Sequence, residues 1–181
     1  MGQVIAQRMT ADVDREVIVF LIGMRINSYW KIHKWLPVAL AMPRMLRELQ
    51  ADPASGFLSG ESWGGNPTIM VQYWRSFDDL ERFAKDASRT HRPAWSAFNR
   101  ATAGNADVGI WHETYRVRPG DLETIYNNMP PFGLGRATRQ VPAQGHRECA
   151  RDRMALTAPP VMETMPENPM FDPDVPPAGG D

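Results

Sequence analysis

The clearest pattern in the chain is a set of short apolar runs separated by turn residues. Val17 to Asn27 (VIVFLIGMRIN) is rich in β-branched and aromatic residues and predicts a central strand, buried on both faces for much of its length. From Trp35 to Gln50, Met42, Met45, Leu46 and Leu49 repeat at helical spacing. Pro37 suits the first turn of that helix. Pro43 predicts a kink or a division into two short helices. Gly56–Trp63 and Pro67–Trp74 alternate like strands on either side of Gly64-Gly65-Asn66, a hairpin signal. Ser76 is placed to cap a second helix, with Asp79 three residues on. The stripe Leu80, Phe83, Ala84, Ala87, His91 follows the helical period, and Pro93 interrupts it or opens another helix. Val108–Val117 (VGIWHETYRV) is the last clear strand.

The order β, α, β, β, α, β is a ferredoxin-like arrangement in the α+β class. If Phe20 and Ile22 point to the helices, the other face of the sheet carries Val17, Val19 and Leu21. That apolar face must be buried, and pairing with a second copy is the simplest route, so a homodimer is expected. Residues 1–15 are polar and lack periodicity, and read as an N-terminal arm. Residues 16–138 form the ferredoxin-fold domain, in which Gly120–Asn128 could be a short helix and Met129–Gly135 could not. From Val141 onward the chain holds eight of its sixteen prolines. Residues 139–181 therefore read as a disordered Pro-rich tail, with 146–157 at most a transient helical turn.

Composition narrows the function. A net charge of −1 provides no basic stripe for nucleic acid, and 43% hydrophobic residues allow a packed core. The longest apolar runs are far short of a membrane span, and no secretory h-region opens the chain. One cysteine, Cys149, permits no internal disulfide, so a cytoplasmic location is expected. Phosphate-loop, dinucleotide, zinc-protease and nucleophile-elbow motifs are absent. The four histidines are too scattered for a shared metal site.

His91 is the most informative of them, one turn after Ala87 and one before Trp95. An imidazole there could act as a base, ligate haem iron, or simply hydrogen-bond in the core, the commonest fate of a lone histidine on an apolar face. His112 lies on the opposite face of its strand from Trp111 and Glu113, at a pocket or at an interface. Arg25 and Asn27 share a face at the end of the first long strand. They could orient an oxygen-rich substrate or pair with Glu113 or Asp107. Trp30, Tyr73, Trp74 and Trp95 are candidate pocket walls, since an excess of tryptophan and methionine suits a flat apolar ligand as well as a core.

Seven stretches carry a resemblance. GMRIN at 23–27, WKIHKWLP at 30–37, MPRMLREL at 42–49, PTIMVQYWRSFDDLERFA at 67–84, HRPAWSAFN at 91–99, GIWHETY at 109–115 and NMPPFGLG at 128–135 occur in order. Together they resemble a bacterial and fungal domain family grouped with the fumagillin-pathway monooxygenase. The resemblance covers roughly residues 15–138. It implies a dimeric α+β barrel of the antibiotic-biosynthesis-monooxygenase superfamily and a monooxygenase working on an apolar, oxygen-bearing small molecule without a cofactor. On that reading His91 is the base, and Arg25 and Asn27 hold an oxyanion. Similarity to the haem-degrading branch makes His91 a candidate axial ligand, although Met24 stands where that branch carries asparagine. A non-catalytic dimeric ligand-binding module is the third reading.

Overall fold

The computed structural model describes residues 2–86 and 106–157. Among the described residues, seven strands form two antiparallel sheets. The larger sheet has strand order β3-β4-β2-β5 and is built from β2 (Val17–Ile26), β3 (Phe57–Trp63), β4 (Ile69–Trp74) and β5 (Val108–Val117). With α1 (Ile32–Ala51) between β2 and β3, and α2 (Phe77–Lys85) after β4, this is the expected ferredoxin-like unit. The strand limits follow the apolar runs. β2 pairs with β5 from Val17↔Val117 to Ile26↔Val108.

The structure settles the phase of β2, which turns Ile18 and Phe20 to the helices. Ile18 packs with Leu49 of α1, Trp74 of β4, and Leu80 and Phe83 of α2, with Phe20 and Met45 against them. Val17, Val19 and Leu21 therefore point the other way. Gly23 is required by a close approach. A Cβ there would lie 1.9 Å from the Thr68 carbonyl oxygen and 2.6 Å from Nε1 of Trp111. Thr68 uses this proximity, since its Oγ1 accepts from the Met24 N–H at 2.9 Å and its own N–H donates to the Met24 carbonyl at 2.8 Å.

α1 departs from expectation. It begins at Ile32 and runs as one element through both Pro37 and Pro43. Each proline removes one backbone donor, and the apolar face seated on the sheet retains the helix in spite of that loss. Ser76 caps α2 as read, its Oγ accepting from the Asp79 N–H at 3.1 Å. The hairpin between β3 and β4 turns through a cis Asn66–Pro67 peptide.

The flanks differ more. The supposed arm contains β1 (Ile5–Asp12), which lies between β6 (Tyr126–Met129) and β7 (Arg139–Pro142) in a three-stranded sheet. No helix forms over 120–128, where β6 begins. A short helix, α3 (Gly133–Ala137), forms where none was expected, permitted by Gly133 at φ 55°. Residues 139–157, assigned to a disordered tail, instead form β7, a 3₁₀ turn at Gly145–Arg147 and α4 (Ala150–Thr157). Arg153 anchors this segment. It is 5% exposed, its Nε donates to Glu123 at 2.7 Å, and its Nη1 donates to the carbonyls of Arg147 and Glu148. Residues 158–181 lie outside the described residues.

A second core joins the two sheets. Ala11 and Val13 pack with Val17, Leu122 and Leu134, and Tyr73 and Tyr126 close against them. This covers one end of the sheet face opposite the helices. Farther along the same face, Tyr115 is 49% and Trp63 43% exposed.

Candidate active site

A pocket opens between the larger sheet and the helices. Phe20 and Ile22 of β2 and Met70 and Gln72 of β4 form its floor, and Met42 and Met45 of α1 close it from above. Its volume is about 50 Å³, enough for part of a ligand; pockets that engulf drug-sized molecules run to roughly 300–1,000 Å³. The methionines provide the means of adjustment, since an unbranched thioether chain repacks at little cost.

Gln72 is the polar group of this lining and is 7% exposed. Its Oε1 accepts from Nε1 of the fully buried Trp74 at 3.0 Å, and its Nε2 donates to the sulfur of Met70 at 3.1 Å. A thioether is a weak acceptor, so the amide N–H is the donor most readily transferred to a ligand oxygen. The expectations for β4 centred on Tyr73 and Trp74 and passed over Gln72. The signal was available: one amide inside an otherwise apolar strand, on the same face as Met70 and Trp74.

Each expected site residue has a definite place, apart from two. His91 and Trp95 lie outside the described residues. Arg25 and Asn27 are exposed at the end of β2, on the face away from the pocket, so the structure does not bring them to its lining. They join a terminal hydrogen-bond cluster. Arg25 Nε donates to Asn27 Oδ1 at 3.0 Å, and Asn27 Nδ2 donates to the Ala106 carbonyl at 2.7 Å. Beside them, the Asp107 carboxylate accepts from Lys31 Nζ at 2.9 and 3.0 Å and from Ser28 Oγ at 2.9 Å. The Lys31 ammonium holds that carboxyl below the usual carboxylate range, against the opposing effect of burial. Trp30 is 78% exposed. Tyr73 faces the second core, where burial raises its phenol. Trp74 is core, beneath Gln72. His112 is exposed on the helix side of β5, its ring 5.7 Å from Phe20, beside the pocket rather than in its lining.

Among the described lining residues no imidazole, thiolate or phenolate is present to ligate an iron, and no group of metal-binding side chains occurs among the described residues. No helix among the described residues is long and apolar enough to cross a membrane.

Comparison with known proteins places this geometry in a family. The Monooxygenase af470-like family model matches residues 17–134, from the start of β2 into α3, and the chain belongs to that family. Among curated proteins, Monooxygenase af470 of Aspergillus fumigatus is 27% identical over 143 residues, 69% of this chain and 47% of that protein. The chain thus spans about half the length of this relative. Among solved structures, an aldoxime dehydratase (OxdRE) in complex with butyraldoxime superposes with a TM-score of 0.58. It is 21% identical over 72% of this chain and 41% of its own, a likeness of fold alone. SnoaB, a cofactor-independent oxygenase from Streptomyces nogalater, aligns at a TM-score of 0.42 with 12% identity, over 57% of this chain and 94% of its own.

Proposed function

We propose that the protein is a monooxygenase that takes an apolar, oxygen-bearing small molecule into the pocket between sheet and helices and oxidises it with dioxygen, without a cofactor. The observation that carries this reading is the pocket itself: an apolar, methionine-lined floor and roof with one buried amide, in a chain of a monooxygenase-like family. Such a lining excludes water and holds a substrate by shape, and Gln72 supplies a hydrogen bond to one oxygen.

The chemistry suited to that environment starts from a substrate with an acidic methylene beside a carbonyl or phenolic ring. Loss of a proton gives a carbanion, which passes one electron to dioxygen. The resulting radical pair combines to a hydroperoxide, and loss of water leaves a carbonyl. One oxygen atom enters the product, and the other leaves in water with the two methylene hydrogens. We assign the base to His91. Arg25 and Asn27 are exposed at the strand end, outside this lining, and the oxyanion contact is assigned to Gln72. The half-buried stretch around Val19, Leu21 and Val71, on the sheet face away from the pocket, is assigned to a second copy of the chain.

Dioxygen uptake with a panel of acidic phenols and anthrone-type ketones tests the reading. Substrate-dependent uptake that falls in both His91→Ala and Gln72→Leu, with folds intact, is the expected result. No uptake with any member sinks it. A haemin titration decides the haem alternative, since a saturable Soret band lost in His91→Ala would replace the cofactor-free mechanism.

A further inference from the structure

A second cavity, about 480 Å³, lies on the side of the larger sheet opposite the pocket, where that sheet meets the three-stranded one. It is within the size range of small-molecule sites, and the proposed oxidation makes no use of it. Its apolar surface comes from Val13, Val17, Leu58 and Ala137, and its charged lining from Arg15, Arg75, Arg139, Asp12 and Asp14. Arg15 and Arg139 have their carboxylate partners within the lining, whereas the partner of Arg75, Asp79, lies behind it.

Arg75 is held differently from the other two. Arg15 and Arg139 are 69% and 76% exposed and are paired with Asp14 and Asp12 on the rim. Arg75 donates its backbone N–H to the Gly56 carbonyl at 2.8 Å and its Nε to the buried Asp79 at 2.8 Å. Asp79 is fixed in turn by Arg82 and by close contact with Gly56, where a Cβ would come within 2.4 Å of its carboxylate. Among the described residues neither terminal nitrogen of Arg75 is bonded. A guanidinium anchored through Nε, with both terminal nitrogens unspent, is pre-organised to grip a carboxylate in two parallel bonds.

We propose that this cleft is a second binding site, for a small amphipathic carboxylate whose acid group is held by Arg75 and whose apolar body rests on Leu58 and Ala137. Arg15 and Arg139 can leave their rim partners to close over the acid. The apolar floor favours such a ligand over a bare inorganic anion.

The test is calorimetric titration of the full-length protein with naphthalene-2-carboxylate, naphthalene-2-carboxamide and inorganic phosphate. The acid is expected to bind about tenfold or more tightly than the amide, since a charge-assisted bidentate pair is at stake, and phosphate should compete poorly. Arg75→Gln should abolish the preference for the acid, and Arg75→Lys, which keeps the charge, should retain part of it. Leu58→Trp, filling the floor at an exposed edge, should weaken acid and amide alike. Equal affinity for acid and amide, unchanged acid binding in Arg75→Gln with a native circular dichroism spectrum, displacement by phosphate at equal concentration, or no binding by the native protein would each overturn the proposal.

Discussion

Replacing Gln72 with leucine separates the structural from the functional consequences of the buried amide. Leucine is close in size and more apolar, so the transfer term favours the variant slightly. Against that, the Nε1–H of Trp74, at 0% exposure, loses its partner at 3.0 Å. A buried donor left unsatisfied costs about 1–3 kcal/mol, while the thioether contact to Met70 contributes little. The net expectation is a loss of about 1–2 kcal/mol. The clean measurement is a double-mutant cycle by urea denaturation over wild type, Gln72→Leu, Trp74→Phe and the double variant. Trp74→Phe removes the donor, so in that background Gln72→Leu should become close to neutral or stabilising. The expected coupling is about 1–2 kcal/mol. A coupling below about 0.3 kcal/mol, within the error of additivity, would show that the tryptophan is not what holds the amide and would refute the reasoning. The same leucine variant should also bind oxygen-bearing ligands less well while retaining their hydrocarbon analogues.

Other expectations follow from contacts already described. Gly23→Ala forces a methyl into the Thr68 carbonyl and should cost at least about 2 kcal/mol in denaturant titration; a loss under about 0.5 would mean that β2 and β4 are less tightly apposed than they stand. Asp79 is held below the usual carboxylate range chiefly by its bond to Arg75. A depressed folded pKa contributes stability that is complete above the unfolded carboxylate value and is lost as pH falls through the folded one. Asp79→Asn should therefore lower the urea midpoint at pH 7 and narrow the gap between pH 7 and pH 3; an unchanged gap contradicts this. Arg153→Gln leaves Glu123 without its buried partner and should cost roughly 3 kcal/mol, with faster amide exchange in α4. Leu21→Glu, placed opposite Glu113, should shift the sedimentation of the native protein toward monomer if the open sheet face joins two copies.

Local signals gave the larger sheet almost residue by residue. β2 and β5 are long β-branched runs with turn residues at their ends, and Ser76 with Asp79 marks the start of α2 within one residue. The smaller sheet left no such trace. In β1 the apolar positions Met9 and Ala11 alternate among polar ones, and β6 and β7 are four residues each, one ending in proline. Their order comes from partners far away in the chain, which periodicity cannot register. The proline-rich composition misled for 139–157, because one buried arginine with four hydrogen bonds organises a segment that buries little carbon. At the site, polar residues at a strand end drew attention, yet Arg25 and Asn27 are occupied with backbone and neighbours, while the chemically placed group, Gln72, lay inside an apolar run. His91 and Trp95, which the pattern singled out, fall outside the described residues.

The position of β1 bears on how the chain is made. It leaves the ribosome before both of its partners, since Arg8 pairs with Asn127 and Ala11 with Gln140. At roughly 5–20 residues per second, that strand waits some 6–25 seconds for its neighbours to be synthesised, after β2 to β4 have already emerged. During that interval Met9 and Ala11 have no sheet to join, and Val17 and Tyr73 have no cover. The nascent protein thus carries an incomplete surface that closes only when β6 and β7 arrive, a step that any change in the sequence joining them to β1 would delay or advance.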